Sequence, residues 1–260
     1  MSSDEVLRFE IDGPIFRITI DRPEHLNSIN FKVYEALEQA LMAFAASDAR
    51  IAVVLGKGSK AFIAGADISD YIEPDSDAYM RLIEHGHRIM WRMRQTPKPI
   101  VAAVQGYALG GGLEIALACD LIVASERSRF GLPEASLGLV PGGGGTQRLT
   151  RLVGRLRAND LMMRARIINA KEAFDMGFVN LIVPDESFTA NVQEYLMEIA
   201  SKSTQVLSSI KHLTGLLDGP DFWERMQLEA QHSVDAFLSP NGREGVRAFV
   251  EKRTPNFHAG

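Results

Sequence analysis

One cysteine, Cys119, is the only thiol in this chain of 260 residues. No disulfide can close within it, and its cysteine usage gives no support to an oxidising compartment. Cys119 sits among Ala116, Leu117 and Ala118, so it is expected to be a small core residue rather than a nucleophile. Long apolar runs are also missing. No stretch approaches the ~18 residues that span a bilayer, and no membrane partner is expected. Met1-Ser2-Ser3-Asp4-Glu5 has neither a signal-peptide core nor the Arg-rich character of a transit peptide. A cytoplasmic location is the expectation, and a processed organellar form would read the same. Positive charge is not in excess either. The formal net charge of −5 and a pI near 5.7 argue against non-specific nucleic-acid binding. Arg148, Arg151, Arg155, Arg157, Arg164 and Arg166 form a basic stretch, read as a solvated helix face or a subunit contact.

Several catalytic signatures are absent as well. The glycine clusters invite a nucleotide-binding reading, but Gly110 and Gly112 would need a third glycine where Ile115 stands. The quadruple glycine runs into Thr146-Gln147-Arg148, which is no P-loop. No G-x-S-x-G occurs, so a serine nucleophile elbow is excluded. His25, His85, His87, His212, His232 and His258 show no ligand spacing with cysteine or carboxylate. The nearest approach, His85-Gly86-His87, falls on a predicted helix where neighbours two apart diverge. No metal site is expected. No fixed-period repeat or low-complexity segment is present.

What remains is an alternation of short β-branched runs and helical periods. Leu7 to Ile11 and Ile15 to Ile20 read as strands around Asp12-Gly13-Pro14. Phe31, Tyr34, Leu37, Leu41 and Phe44 recur at helical spacing behind Asn30, a plausible N-cap. Ile51 to Leu55 and Ile100 to Val104 are continuous apolar runs, suited to a sheet covered on both faces. A helix is predicted from about Asp77 to Gln95, stopped by Pro97 and Pro99. Leu121 to Ala124 and Arg129 to Gly131 read as short strands, and a helix is predicted from about Thr146. This alternation implies an α/β core. After Pro184 the pattern changes and becomes almost wholly helical from Phe188 to Val250. Residues 1–187 are therefore read as the core, and 188–260 as a helical module packed on it or on a neighbour.

Two glutamates stand beside backbone features that chemistry can use. Glu114 ends Leu109-Gly110-Gly111-Gly112-Leu113-Glu114, ahead of an apolar stretch read as a helix from Leu113 to Cys119. Glu134 ends Phe130-Gly131-Leu132-Pro133-Glu134. Glycines let the main chain approach a ligand closely, and N–H groups at a helix start attract negative charge. A carboxylate beside such groups is equipped for proton transfer next to a carbonyl that becomes an enolate.

These motifs, with Phe62-Ile63-Ala64-Gly65-Ala66-Asp67, Pro141 to Leu149 and Ala248 to Arg253, share an order and spacing with a known family. The chain resembles the crotonase superfamily, and within it the enoyl-CoA hydratases, over essentially its full length. The resemblance implies a spiral of ββα units (the ClpP/crotonase-like fold) followed by helices that trimerise, often into a hexamer made of two trimers. It implies an acyl-CoA thioester as substrate, with CoA entering only as part of it and no metal or redox cofactor.

By the same resemblance, the N–H groups of Ala66 and Gly111 hold the thioester oxygen. Glu114 takes a proton from water as it attacks Cβ, and Glu134 supplies one to Cα. The product would be a 3-hydroxyacyl-CoA, formed by syn addition in fatty-acid or related acyl-CoA degradation. Ala64, Asp67 and Ile68 match the loop along the CoA moiety, and Gly110, Pro133 and Gly142 match substrate contacts. Phe249 and Lys252 match C-terminal residues that reach a neighbour's CoA. The family's basic residue after the first Arg-Pro is missing here, where Glu24 intervenes, so Arg22 or His25 would have to substitute. Tyr79, Met80, Ile83, Met90 and Trp91 either wall the acyl pocket or form an ordinary buried stripe.

Two rival readings stay open. Many superfamily members keep only one carboxylate, so Δ3-Δ2-enoyl-CoA isomerisation is the nearer rival. The remoter one is a catalytically silent scaffold binding acyl-CoA or RNA, against which the acidic balance and the intact glutamate pair both speak.

Overall fold

The computed structural model describes residues 6–67, 75–215 and 220–255. Among these residues, ten strands fall into two sheets. The larger has the order β1-β2-β3-β5-β7-β10, comprising β1 (Leu7–Asp12), β2 (Ile15–Ile20), β3 (Ile51–Gly56), β5 (Ile100–Val104), β7 (Leu121–Ser125) and β10 (Leu181–Val183). Only the β1–β2 hairpin in it is antiparallel. The smaller has the order β4-β6-β8-β9, from β4 (Ala61–Ile63), β6 (Tyr107–Leu109), β8 (Arg129–Gly131) and β9 (Ile167–Asn169).

The chain repeats one move. It runs up a strand of the large sheet, crosses to a strand of the small sheet, and returns through a helix. β3 and β4 lead to α2 (Ser76–Gln95), and β5 and β6 to α3 (Gly111–Ala118). β7 and β8 lead, through a 3-10 turn at Pro133–Leu137, to α4 (Gly145–Val153). This is the ββα spiral that the motifs imply.

Period-two alternation decides which side chain faces where. Ile51, Val53, Val101 and Ala103 pack under Phe188, Val192 and Leu196 of α7 (Phe188–Ala200). Their alternates Ala52, Val54, Ile100, Ala102 and Val104 enter the main core, together with Phe44 and Leu37 of α1 (Phe31–Ala46). Both faces are covered, which is why these strands read as unbroken apolar runs. Asn30 caps α1 by accepting from the Val33 N–H at 3.1 Å.

The remaining helices are α5 (Arg155–Met163), α6 (Ala170–Asp175), α8 (Thr204–Gly215), α9 (Pro220–Leu238) and α10 (Pro240–Val250). Within this one subunit α9 packs on α2 and α4, and α10 packs on α9 and the 133–137 turn. After residue 188, α7 thus closes one face of the large sheet, while α9 and α10 rest on helices and on the 133–137 turn. Cys119 caps α3 and is partly buried, with burial pushing its thiol well above the ordinary range. Among the described residues, no helix is long and apolar enough to cross a membrane.

Candidate active site

The register of the small sheet sets the site. β4 pairs with β6 in parallel, with Ile63 opposite Ala108. Beyond the strands the two segments stay close: a Cβ on Gly110 would lie 3.6 Å from Gly65 Cα, and Ala66 and Gly111 both reach the same cavity. Ala66 also forms an isolated parallel bridge with Ile29. There Ile29 donates to the Gly65 carbonyl at 2.9 Å and accepts from the Asp67 N–H at 2.8 Å. In a parallel bridge this turns the N–H of Ala66 away from Ile29. Gly111 opens α3, and the first N–H groups of a helix have no partner inside it.

The carboxylates arrive by the same pairing. Gly110 donates to the Gly131 carbonyl at 2.9 Å, joining β6 to β8, and Glu134 follows three residues later in the 3-10 turn. A Cβ placed on Gly110 would lie 3.0 Å from Glu134 Oε1, and its backbone (φ +50°, ψ −127°) already demands glycine. Glu114 lies in the first turn of α3 and is 3% exposed. Its Oε1 accepts from the N–H groups of Gly143 and Gly145, both at 2.8 Å. Its Oε2 lies 2.4 Å from where a side chain on Gly143 would begin and 3.9 Å from the same point on Gly111. Burial raises the Glu114 pKa, against the pull of the Gly145 and Gly143 N–H groups and of Arg148.

All four groups line one cavity of about 480 Å³. Its walls are mostly apolar and include Ile29, Leu82, Ile83, Leu139, Val140 and Phe237. Tyr79 stacks on Phe237 with ring centroids 4.4 Å apart, and its hydroxyl meets Ser233 Oγ at 2.9 Å. Burial first, then the charges of Glu134 and Glu114, push its pKa up to about 12. The phenol stays neutral.

Ala64, Gly110, Pro133, Gly142 and Phe249 also line the cavity. Arg22 and Asp67 have another task. Buried Arg22 donates to the Ser28 carbonyl at 2.6 Å and to Asp67 Oδ2 at 2.8 Å, tying the 22–28 loop to the 64–67 loop. Its guanidinium is thus paired with the Asp67 carboxylate. His25 and Lys252 are exposed and lie off the cavity wall, and Ile68 falls outside the described residues. Of the α2 residues singled out, Tyr79 and Ile83 face the cavity. Met90 is buried behind Gly143, Met80 packs on the core, and Trp91 lines a separate cleft with Met90 and Arg94. The basic stretch is no single face: Arg164 and Arg166 pair with Asp160, while Arg148 donates to the Gly143 carbonyl at 2.8 Å. Among the described residues, no cluster of His, Cys, Asp or Glu could hold a metal ion.

Sequence reasoning missed His87. This α2 residue is 3% exposed, and its Nε2 meets the Gly142 carbonyl at 2.6 Å. Burial lowers its pKa to about 4, against the contact with Gly142. A histidine held neutral in the fold favours unfolding as the unfolded chain takes up its proton. Stability is therefore expected to fall as pH drops from about 6.5, by about 3 kcal/mol at pH 4 from this group alone. Urea melts across that range check it. His87→Gln should flatten the dependence, and an unchanged slope would contradict the assignment.

A model of the family described as enoyl-CoA hydratase/isomerase matches residues 10–260. A probable enoyl-CoA hydratase of Rhizobium meliloti (strain 1021) is 38% identical over 256 residues, which is 98% of this chain and 98% of that one. The short-chain-enoyl-CoA hydratase of Clostridium acetobutylicum is 35% identical over 245 residues, covering 94% of each chain. Among solved structures, an enoyl-CoA hydratase from Mycobacterium avium subsp. paratuberculosis K-10 aligns with a TM-score of 0.89. It is 29% identical, over 98% of this chain and 99% of that one.

Proposed function

Because the chain belongs to the enoyl-CoA hydratase/isomerase family, we propose that it adds water to a 2-trans-enoyl-CoA to give a 3-hydroxyacyl-CoA. The observation that carries this reading is that Glu114 and Glu134 line one largely apolar cavity together with Gly110 and Gly111. The thioester oxygen sits between the N–H groups of Ala66 and Gly111. Glu114 Oε2 takes a proton from water while the water oxygen bonds to Cβ. The π electrons move onto the thioester oxygen as an enolate, and that charge is where the two N–H groups act. The enolate collapses as Cα takes a proton from Glu134. One proton enters the pair and one leaves, so the reaction adds a single water. With both carboxylates on one face of the substrate, the addition is syn. Two carboxylates in one cavity titrate as a pair, and acid and base are roles of that pair.

The raised pKa of Glu114 makes it a stronger base than an ordinary carboxylate. The apolar walls suit an alkenyl chain, and CoA enters as part of the substrate. Exposed Leu156 and Met163 on α5, 77% and 74% accessible, support assembly of copies into a trimer or a hexamer of two trimers. A cytoplasmic location completes the reading.

Incubation of the purified protein with crotonyl-CoA, following loss of the enoyl-thioester absorbance, tests the reaction. No loss, together with migration of the double bond in a 3-enoyl-CoA, would replace hydration by isomerisation. Glu134→Gln should lower kcat at least ~100-fold, since its amide cannot deliver the proton to Cα. Turnover close to wild type would remove Glu134 from the chemistry.

A further inference from the structure

We propose that His87 and Arg148 are positioning residues for Glu114, acting through the Pro141–Gly145 turn whose amides aim that carboxylate. The inference rests on the hydration reading for what Glu114 does, but not for how Glu114 is held.

Glu114 Oε1 is fixed by the Gly143 and Gly145 N–H groups, each at 2.8 Å. Those amides lie in a run of four glycines, Gly142 to Gly145, preceding or opening α4. Such a run has the largest conformational freedom a chain can have and does not hold itself in place. The ties come from its carbonyl side. His87 Nε2 meets the Gly142 oxygen at 2.6 Å, and Arg148 Nη1 donates to the Gly143 oxygen at 2.8 Å. The Gly142–Gly143 peptide plane is thereby gripped at both ends, its carbonyl by His87 and its N–H by Glu114, while Arg148 holds the next carbonyl, that of Gly143. A carbonyl only accepts, so Nε2 of His87 must carry the proton. The imidazole's low pKa keeps it neutral, so this single proton is the one it presents.

The two anchors come from different helices, α2 and α4, on different sides of the turn. Neither side chain lines the cavity, so neither can touch an acyl chain. The space around Gly143 and Gly144 is also spoken for. A Cβ on Gly143 would fall 2.4 Å from Glu114 Oε2, and one on Gly144 would fall 2.1 Å from Arg148 Nη1. Loosening the turn therefore has one direct consequence. Glu114 loses donors that favour its ionised form, and its pKa rises further. The other groups that bear on it are Arg148 from α4, and Tyr79 and Glu134, which share its cavity.

The experiment compares His87→Leu, which removes the donor, with His87→Gln, which keeps an N–H near the same place. Arg148→Gln is an independent route to the same turn. Two readouts are taken. One is kcat and KM on crotonyl-CoA across pH. The other is the pH titration of the Gly143 and Gly145 amide shifts in 15N-glycine-labelled protein, which needs no turnover.

His87→Leu is expected to lower kcat by ~10- to ~100-fold, the scale of a misplaced catalytic group. KM should stay within about twofold, because no substrate contact is lost. The acid limb of kcat/KM and the amide titration should both move to higher pH, and His87→Gln should restore most of each. Arg148→Gln should move the amide titration the same way. An unmoved titration in both His87→Leu and Arg148→Gln overturns the proposal, as does a folded His87→Gln no better than His87→Leu. If the wild type hydrates no enoyl-CoA while the titration still moves, the hydration reading falls and the positioning role stands.

Discussion

Glu114→Gln is expected to turn over crotonyl-CoA at least ~100-fold more slowly than the wild type, and to melt at a higher temperature at pH 7. Both follow from the same burial. The amide keeps the shape of the carboxylate, and its oxygen can still accept from Gly143 and Gly145. What it cannot do is take a proton from water. Burial holds the Glu114 pKa above its ordinary value, despite the two N–H groups and Arg148. A carboxyl whose folded pKa exceeds its unfolded one contributes its full stability when protonated. That contribution is lost as pH rises through the folded pKa. At pH 7 the wild type carries this loss and a neutral glutamine does not. The gap in melting temperature should therefore narrow as the pH is lowered and Glu114 itself takes up a proton. Activity and stability would pull in opposite directions at one residue, as expected where a site is built from a strained charge. Near-normal turnover would remove Glu114 from the chemistry. A lower melting temperature at pH 7 would mean that the N–H groups and Arg148 outweigh burial.

The elements legible in the sequence are those whose pattern is local. Arg129–Gly131 falls where its short β run predicts, and α1 begins behind Asn30 because a side-chain cap is a contact three residues long. The two glutamates of the cavity were legible for another reason: each closes a glycine-bearing motif. α3 was placed too late, at Leu113, because glycine is a poor helix former. It starts at Gly111, where glycines cost little because first-turn N–H groups need no intrahelical acceptor. β9 and β10 are three residues each and carry no period to read. Met90 shares an apolar stripe with Ile83, but it lies seven residues on, roughly 10 Å along the axis, and misses the cavity. Nothing local separates the two. Contacts that join distant segments stayed hidden altogether. The Arg22–Asp67 clamp spans 45 positions and the His87–Gly142 bond spans 55, and neither partner is marked by its neighbours. The helical run from Phe188 likewise says nothing of the division between α7 on the large sheet and Phe237, Val246 and Phe249 on the cavity wall.

Gly112→Ala should be as damaging as loss of a catalytic carboxylate, although residue 112 touches no substrate. A Cβ there would lie 2.1 Å from the Ile63 carbonyl oxygen and 2.7 Å from its Cβ. The nearest atom is backbone, held in β4, and cannot swing aside as a side-chain end would. Relief requires α3 and β4 to move apart, costing ~1–3 kcal/mol or more by the usual scale of overpacking. The same movement separates the segments that carry Ala66 and Gly111 to the cavity wall, since Ile63 leads into Ala66 and Gly112 follows Gly111. On the proposed mechanism, two donors that must reach one oxygen would then reach different places. Losing one such donor usually lowers kcat by ~10²–10³, and the charge it meets exists mainly in the transition state. The loss should therefore appear in kcat more than in KM. Chemical denaturation and steady-state kinetics on the same preparation separate the two effects. A destabilised variant with normal kcat would reduce the triple glycine to a packing device. A variant normal in both would mean that close approach of α3 to β4 does not set where the Ala66 and Gly111 N–H groups lie.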